Sequence, residues 1–204
     1  MNTVILEGRI ELTFDEGWSA LKWDATPPAD PPPYLYREGI GKLQGDVDGR
    51  TESTKAVDVI ASPRDPSLLL MEIKDFRTDR GPGGGPRALA FGARWRELPL
   101  EVALKVRDSL AGVAGVLFRA PETSVATWMR PARDAGVYVF AVVAQDPHRP
   151  EEPTSVRKAR DHQLYQDLRR RLAWLTREGA RVRVVDPFAT TLPPQLHGVS
   201  FRSV

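Results

Sequence analysis

The amino-acid sequence predicts an α/β protein in which a mixed central β-sheet is flanked by helices. An apolar run of strand length, VYVFAVVA at 137–144, is typical of a central strand that is buried on both faces. Residues 100–118 carry an amphipathic helical pattern, because apolar residues recur there at spacings of three and four. The elements follow the order strand, hairpin, helix, strand, helix and strand, which indicates one mixed sheet with helices packed against it.

The N-terminal region combines strand and loop signals. Residues 4–14 alternate in polarity, which predicts a half-buried strand or a bent hairpin with Gly8 at its kink. Residues 15–23 favour a short helix, and the prolines of 26–33 predict a loop because they lack the N–H that a helix or ladder requires. The alternation places one set of apolar side chains on a common face: Val4, Leu6, Ile10, Leu12 and Phe14.

The remaining elements follow from periodicity and from turn residues. The glycine-rich stretch 81–87 predicts a flexible loop. A second long helix is expected to begin at Thr154 or Ser155, as its N-cap, and to continue to about Glu178. Residues 181–186 predict a last strand, and the tail after it is expected to be irregular. Four leucines form the stripe of the second helix: Leu164, Leu168, Leu172 and Leu175.

Composition excludes several classes of protein. The chain has 41% hydrophobic and 27% charged residues, which is ordinary for a soluble globular protein. No run approaches the roughly 18 apolar residues that a membrane span needs, and the first residues do not read as a signal peptide, so a cytoplasmic location is expected. Without cysteine, disulfides, thiol nucleophiles and cysteine-based zinc sites are excluded. The net charge of +2 means that binding of a polyanion would need locally concentrated positive charge.

Three charged residues interrupt a predicted hairpin of apolar strands at 57–61 and 68–74. Asp58 lies on the first strand, and Glu72 and Lys74 share one face of the second because strand residues of equal parity point the same way. Asp58 and Glu72 can converge on one Mg²⁺ or Mn²⁺ ion, which would offset their mutual repulsion. The alternative is the solvated face of an edge strand, against which the preceding LLLM indicates a buried strand. The opposite face of the second strand is apolar and holds Leu69, Met71 and Ile73.

The segment VDVIA…LLLMEIKDF resembles the PD-(D/E)xK phosphodiesterase superfamily, which includes restriction endonucleases, RecB-type nucleases and Holliday-junction resolvases. The resemblance implies an αβββαβ restriction-endonuclease-like core with Asp on the second strand and Glu-x-Lys on the third. It also implies that Asp58 and Glu72 ligate the metal, that the Ile73 carbonyl adds a ligand, and that Lys74 orients or activates the attacking water. Val57 stands where the name of the superfamily has proline.

We expect a single domain over 1–204. Residues 1–50 form an N-terminal strand and a proline-rich elaboration, and residues 51–145 form the nuclease-like core that carries the resemblance. Residues 146–204 supply a helix and a strand that complete the sheet.

Further site residues are implied by the same resemblance. Members often add an acid from the helix before the sheet, for which Glu38 is the candidate, with Glu16 as the second choice. They also often add a polar residue from the helix after the lysine strand, which Lys105 or Glu101 would supply. The basic candidates for phosphate contact are Lys55, Arg157, Lys158 and Arg160.

The implied function is metal-dependent hydrolysis of nucleic-acid phosphodiesters, with DNA favoured over RNA, in restriction, repair or anti-phage defence. One alternative is a catalytically inactive binding or regulatory subunit of a larger nucleic-acid-processing complex, built on the same fold. Another is a structural partner protein with a fortuitous Glu-x-Lys. A homodimer is left open, because many members of the superfamily are dimers. The five tryptophans offer stacking surfaces for bases, although core or rim packing is favoured for each.

Overall fold

The computed structural model describes residues 2–24, 46–47, 50–51, 56–63, 67–77, 86–119, 136–144, 153–175, 181–188 and 191–204. Within these ranges the chain forms ten strands, two α-helices and one 3-10 helix. The strands are β1 (Thr3–Glu7), β2 (Ile10–Phe14), β3 (Trp18–Lys22), β4 (Asp46–Val47), β5 (Arg50–Thr51), β6 (Val59–Pro63), β7 (Leu68–Asp75), β8 (Val137–Ala144), β9 (Val182–Val185) and β10 (Val199–Ser203). The helices are α1 (Pro86–Arg119) and α2 (Thr154–Arg171), and the 3-10 helix is Pro194–Leu196.

Two sheets organise the molecule. The larger is a mixed five-stranded sheet with the order β3-β6-β7-β8-β9, in which β3, β6 and β7 are antiparallel neighbours and β7, β8 and β9 are parallel. The smaller is an antiparallel three-stranded sheet with the order β1-β2-β10. Strands β4 and β5 form a separate antiparallel pair.

The five-stranded sheet separates two apolar cores, because successive strand residues point to opposite faces. Leu68 and Leu70 of β7 pack with α1 and α2 in the first core. Leu69, Met71 and Ile73 pack against the three-stranded sheet in the second core. The predicted division of β7 into two faces is therefore confirmed, with the charged positions on the helix side.

The predicted α/β class with a mixed sheet is confirmed. The fully apolar run at 137–144 is β8, which lies between β7 and β9 and is almost entirely buried. The two described helices cover one face of the sheet, and the three-stranded sheet covers the other. Neither α1 nor α2 is long and apolar enough to cross a membrane.

Helix α1 contains the predicted amphipathic segment and begins earlier than expected. Its buried stripe includes Val102, Val106 and Val113, as the spacing of three and four predicts. The helix starts at Pro86, so the last part of the predicted loop 81–87 is helical, while 81–85 lie outside the described residues. Proline suits a first helical turn because it has no N–H to donate.

Helix α2 confirms the second predicted helix, with Leu164, Leu168 and Leu172 buried against the first core. It is shorter than expected and ends at Arg171, after which 172–175 form turns. The prediction that Thr154 or Ser155 caps it is wrong. Pro153 occupies the N-cap position, and no side chain caps the helix there.

Strands β3 and β10 were not expected from the sequence. Residues 15–23 are not helical, because β3 forms there and pairs with β6. The tail is not irregular, because β10 pairs with β2. Both strands are fixed by partners far away in the chain, so tertiary pairing overrides weak local preferences.

The N-terminal segment is a hairpin. The predicted buried face is wrong for its first strand, β1, and right for its second strand, β2. Ile5 pairs with Leu12 and is buried, whereas Val4 and Leu6 are more than half exposed. The two-residue connection through Gly8, which has φ of +57°, exchanges odd and even positions between the two faces. Ile10, Leu12 and Phe14 are buried as expected.

A matched pair of leucine substitutions tests this facing. We expect Leu12→Ala to lower the free energy of unfolding by about 2–5 kcal/mol, because the side chain is fully buried. Leu6→Ala should cost less than about 0.5 kcal/mol, because Leu6 is 53% exposed. Urea unfolding of both variants measures the difference, and equal losses would contradict the observed hairpin register.

Candidate active site

Asp58 lies directly before β6, on the helix side of the five-stranded sheet. In the β6–β7 ladder Val59 pairs with Met71, and continuing this register by one position sets Asp58 against Glu72. The Oδ2 atom of Asp58 accepts the backbone N–H of Ile73 at 2.6 Å. The hairpin thus brings the two carboxylates together from residues that are far apart in an extended chain.

Backbone contacts on both sides hold this segment in place. The carbonyl of Asp58 accepts the N–H of Trp23, from the residue after β3, at 2.9 Å. The N–H of Val57 donates to the hydroxyl of Ser109 on α1 at 3.0 Å, and Ser109 is completely buried. Sequence reasoning missed Ser109, although it occupies a position of the buried stripe of the helix, where a serine needs a polar partner.

Two lysines meet one oxygen of Glu72. Lys105 Nζ on α1 lies 2.7 Å from Glu72 Oε1, and Lys74 Nζ lies 2.8 Å from the same atom. Lys105 Nζ is also 3.5 Å from Asp58 Oδ1. Glu101 completes the group, since its Oε1 atom is 2.9 Å from Lys74 Nζ and 3.9 Å from Lys105 Nζ. Four predicted site residues and Glu101 therefore form one ion network between β6, β7 and α1.

Burial controls the protonation of this network. Desolvation, with a smaller effect of Asp58, raises the pKa of Glu72 to about 7 despite the two nearby ammonium groups. Desolvation also raises the pKa of Asp58, against the attraction of Lys105. Burial alone would lower the pKa of Lys74 and Lys105, but the carboxylates beside them, Glu72 above all, raise both values. Both lysines therefore stay positively charged at neutral pH.

Asp58 also belongs to a second cluster of acidic residues. Carboxylate oxygens of Glu7 on β1, Asp24 after β3 and Asp58 all lie within 4.8 Å of one another. Desolvation, Asp58 and Glu7 together raise the pKa of Asp24 to about 6. Lys22 partly offsets the negative charge, because its Nζ atom is 2.8 Å from Glu7 Oε2. Asp58 thus stands between a lysine-rich side and a carboxylate-rich side of one cluster.

Sequence reasoning missed Glu7 and Asp24 for identifiable reasons. Residues 15–23 were expected to be helical, so Asp24 was not placed at the end of a sheet strand. Glu7 lies in the alternating segment 4–14, and its neighbours depend on packing of β1 against β3. Asp24 directly follows a short and largely apolar stretch at 18–23, which is compatible with a strand as well as with a helix.

The donor set fits a hard divalent cation. The side-chain candidates are all carboxylate oxygens, which Mg²⁺ and Mn²⁺ prefer. The buried Oε2 atom of Glu72 and the buried Oδ1 atom of Asp24 have no hydrogen-bond partner among the described residues. An unpaired buried oxygen costs about 1–3 kcal/mol, so two such atoms flanking Asp58 favour cation binding.

The other predicted site residues have different placements. Glu38 and Lys55 lie outside the described residues. Glu16 is exposed in the turn between β2 and β3. The side chain of Ile73 is buried in the second core, and its carbonyl as a metal ligand stays a prediction.

The basic candidates of the C-terminal part lie on the first two turns of α2. Lys158 is exposed, whereas Arg157 and Arg160 are partly buried. The guanidinium of Arg160 lies over the ring of Trp95 on α1, 4.9 Å from its centroid. These residues therefore belong to the helix layer, on the same face of the sheet as the ion network.

The raised pKa of Glu72 makes stability depend on pH in a defined direction. Between its ordinary value of 4.5 and about 7, the folded protein binds a proton that the unfolded chain has lost. The contribution of Glu72 to stability is therefore greatest below this window and falls as pH rises through it. In the presence of a chelator, we expect the free energy of unfolding to fall by about 2 kcal/mol more in the native protein than in Glu72→Gln between pH 5 and pH 7.5.

Urea unfolding at a series of pH values measures this difference. Glu97→Gln, which removes an exposed carboxyl from α1, serves as the matched control and should keep the native pH profile. A Glu72→Gln protein whose profile parallels that of the native protein would contradict the assigned burial of the Glu72 charge.

No protein-family model, curated protein or solved structure matches this chain. What the cluster does is therefore inferred from its own geometry and charge.

Proposed function

We propose that the chain is a metal-dependent phosphodiesterase that hydrolyses nucleic acid, with DNA favoured over RNA as substrate. The observation that carries this proposal is the meeting of Asp58, Glu72, Lys74 and Lys105 in one buried cluster beside further acidic residues. Burial of a charge costs folding free energy unless the charge is paired or coordinates a metal. Closely coupled acids and lysines in a buried cluster are typical of functional sites.

The order of the elements supports a core of the PD-(D/E)xK type. Strands β3, β6 and β7 are antiparallel neighbours, and α1 then leads to β8, which is parallel to β7. This order supports the strand–strand–strand–helix–strand part of the expected core, in which Asp58 would stand at the second strand and Glu72 on the third. The helix expected before these strands does not precede β3 among the described residues, because residues 2–17 form β1, β2 and turns.

Asp58 would hold the cation, together with Glu72 on one side or with Glu7 and Asp24 on the other. A bound Mg²⁺ or Mn²⁺ would lower the pKa of a coordinated water and offset negative charge on the phosphate. The carboxylates of the chain would supply the negative charge that selects such an ion over monovalent cations.

The lysines would act as permanently charged donors. Because its pKa is raised, Lys74 stays an ammonium group and cannot take a proton from water at neutral pH. It would instead donate hydrogen bonds to the attacking water or to a non-bridging phosphate oxygen, and so stabilise the charge that develops as the bond to the leaving oxygen breaks. Glu101 holds Lys74 from the solvent side at 2.9 Å.

A second candidate function is a catalytically inactive nucleic-acid-binding module on the same fold. One observation favours it: the ammonium group of Lys105 lies between Asp58 Oδ1 and Glu72 Oε1, at 3.5 Å and 2.7 Å. A lysine in this place can neutralise the two acids without a metal. In that case the cluster would be a buried ion network that fixes α1 on the sheet.

Cation binding separates these two functions. We expect isothermal titration of the native protein with Mn²⁺ to show one or more sites, and Asp58→Asn to weaken binding more than about tenfold, because Asp58 is common to both acidic groups. Comparison of Glu72→Gln with Asp24→Asn identifies the side that holds the ion. Glu97→Gln is the control, and absence of binding by the native protein would favour the inactive module.

Hydrolysis tests the proposal directly. We expect the native protein with Mg²⁺ or Mn²⁺ to cut labelled DNA, and Lys74→Ala to cut about 100- to 1,000-fold more slowly, because it lacks one charged donor. Arg202→Ala, which removes a cation from the three-stranded sheet, is the control and should retain the native rate. A native protein that cuts no duplex DNA, single-stranded DNA or RNA with either metal would overturn the enzymatic proposal.

A further inference from the structure

Lys22 is a third lysine beside the cluster of acidic residues. It is the last residue of β3, two positions before Asp24. Its Nζ atom lies 2.8 Å from Glu7 Oε2 and donates to the carbonyl of Leu6 at 2.9 Å. Glu7 in turn belongs to the group of carboxylates that includes Asp58. An ammonium group on β3 therefore stands at the edge of the candidate cation site.

Lys22 and Lys74 lie on opposite faces of the five-stranded sheet. In the β3–β6 ladder Lys22 pairs with Val59, and residues directly opposite each other on neighbouring strands share a face. Val59 is buried in the second core, so Lys22 points to the side of the three-stranded sheet. Lys74 points to the side of α1, where its Nζ atom lies 2.9 Å from Glu101 Oε1.

Both lysines lie at the same end of the sheet. Strands β3 and β7 end there and β6 begins there, because β6 is antiparallel to both. Asp58 directly precedes β6, which lies between β3 and β7 in the sheet. The order across this end is therefore Lys74, Asp58 and Lys22, with one lysine on each face.

Lys22 and Lys74 each keep one N–H donor that no described residue accepts. An ammonium group carries three donors, and Lys22 contacts only Glu7 and the Leu6 carbonyl among the described residues, while Lys74 contacts two glutamates. The side chain of Lys22 is 36% exposed and that of Lys74 is 21% exposed, so a ligand from solution can reach both. Lys105 differs, because it is 14% exposed and contacts three carboxylates.

A nucleic-acid strand at this site needs a cation on the β1 side. Negative charges recur along its backbone, so a strand that places one phosphate at the cation site continues beyond it. On the β1 side it meets Glu7 and Asp24, whose carboxylates repel a phosphate. Lys22 lies against Glu7 and offers a charge-assisted hydrogen bond at this point.

We propose that Lys22 binds the phosphate next to the reacting one, so that the substrate is a polynucleotide strand lying across the end of the sheet between Lys74 and Lys22. This inference rests on the proposed function for the reaction at Asp58. It names the substrate class as an internal phosphodiester bond with a charged neighbour on the β1 side. A diester with a single phosphate offers no second charge to Lys22.

Binding can be measured without metal or turnover. Fluorescence anisotropy with a labelled oligonucleotide of about 20 nucleotides, in a chelator, gives the affinity at a series of salt concentrations. We expect Lys22→Ala to bind about tenfold more weakly, with a salt dependence that is lower by about one phosphate contact. Lys22→Arg keeps the charge and should restore most of the affinity and the native salt dependence.

Matched variants separate phosphate binding from the ion pair. Glu7→Gln removes the partner of Lys22 and keeps the lysine, so we expect it to bind the oligonucleotide at least as tightly as the native protein does. Arg202→Ala removes the cation of another exposed ion pair, that of Arg202 with Glu11 at 2.9 Å, and should bind as the native protein does. Thermal melting confirms folding, and Lys22→Gln replaces Lys22→Ala if the latter does not fold.

Turnover with two substrates tests the substrate class. One substrate is the oligonucleotide, and the other is bis(4-nitrophenyl) phosphate, a diester with a single phosphate. With Mn²⁺, we expect Lys22→Ala to slow cutting of the oligonucleotide about tenfold more than it slows cutting of the small diester. Lys74→Ala should slow both to a similar extent, because Lys74 acts on the reacting phosphate itself.

The inference is overturned if Lys22→Ala binds the oligonucleotide as Arg202→Ala does, if Lys22→Arg does not restore binding, or if both substrates are slowed equally. With any of these results, a native protein that cuts the oligonucleotide would keep the proposed hydrolysis and lose only the role of Lys22. Weaker binding by Lys22→Ala, in a protein that cuts nothing, would retain the inference and refute hydrolysis. A native protein that binds no duplex DNA, single-stranded DNA or RNA would overturn the inference.

Discussion

Burial of two neighbouring carboxylates is the constraint on which the rest of the structure depends. Asp58 is 4% and Glu72 is 1% exposed, so neither charge is stabilised by bulk water. Lys74, Lys105 and the N–H of Ile73 supply the compensation, and they come from β7 and α1. Loss of one partner from such a network leaves an uncompensated buried charge, which costs far more than an exposed ion pair gains. The packing of α1 on the sheet and the protonation state of the cluster therefore depend on each other.

Asp58 lies between two halves of the cluster that carry opposite charge. On the α1 side its neighbours are ammonium groups, and on the side of β1 and β3 they are the carboxylates of Glu7 and Asp24. A cation would relieve repulsion mainly in the second half, because Lys74 and Lys105 already neutralise the carboxylates of the first. In the proposed function the cation would occupy the carboxylate half, and the lysine half would face the phosphate.

Local patterns predicted much of this arrangement. The two-residue repeat of a strand places Glu72 and Lys74 on the face opposite Met71. The helical repeat places the apolar residues of α1 in one stripe, and the structure confirms both patterns. The acids from β1 and β3 could not be found in this way. Their position depends on which strands pair and on how β1 packs against β3, and periodicity within one segment carries no information about either. The exposure of Leu6 illustrates the same limit, because a two-residue turn decides which face of a hairpin is buried.

The pairing of β2 with β10 has a consequence for the order of folding. This ladder joins Phe14 to Val199, so it can close only after nearly the whole polypeptide has been brought together. Contacts of such sequence separation are slow to form, because the entropy of loop closure is lost before the contact is gained. The β6–β7 hairpin has no such delay. We therefore expect the contacts of Glu72 with Lys74 and Lys105 to form first. The contacts of Asp58 with Glu7 and Asp24 should form last, when the three-stranded sheet closes.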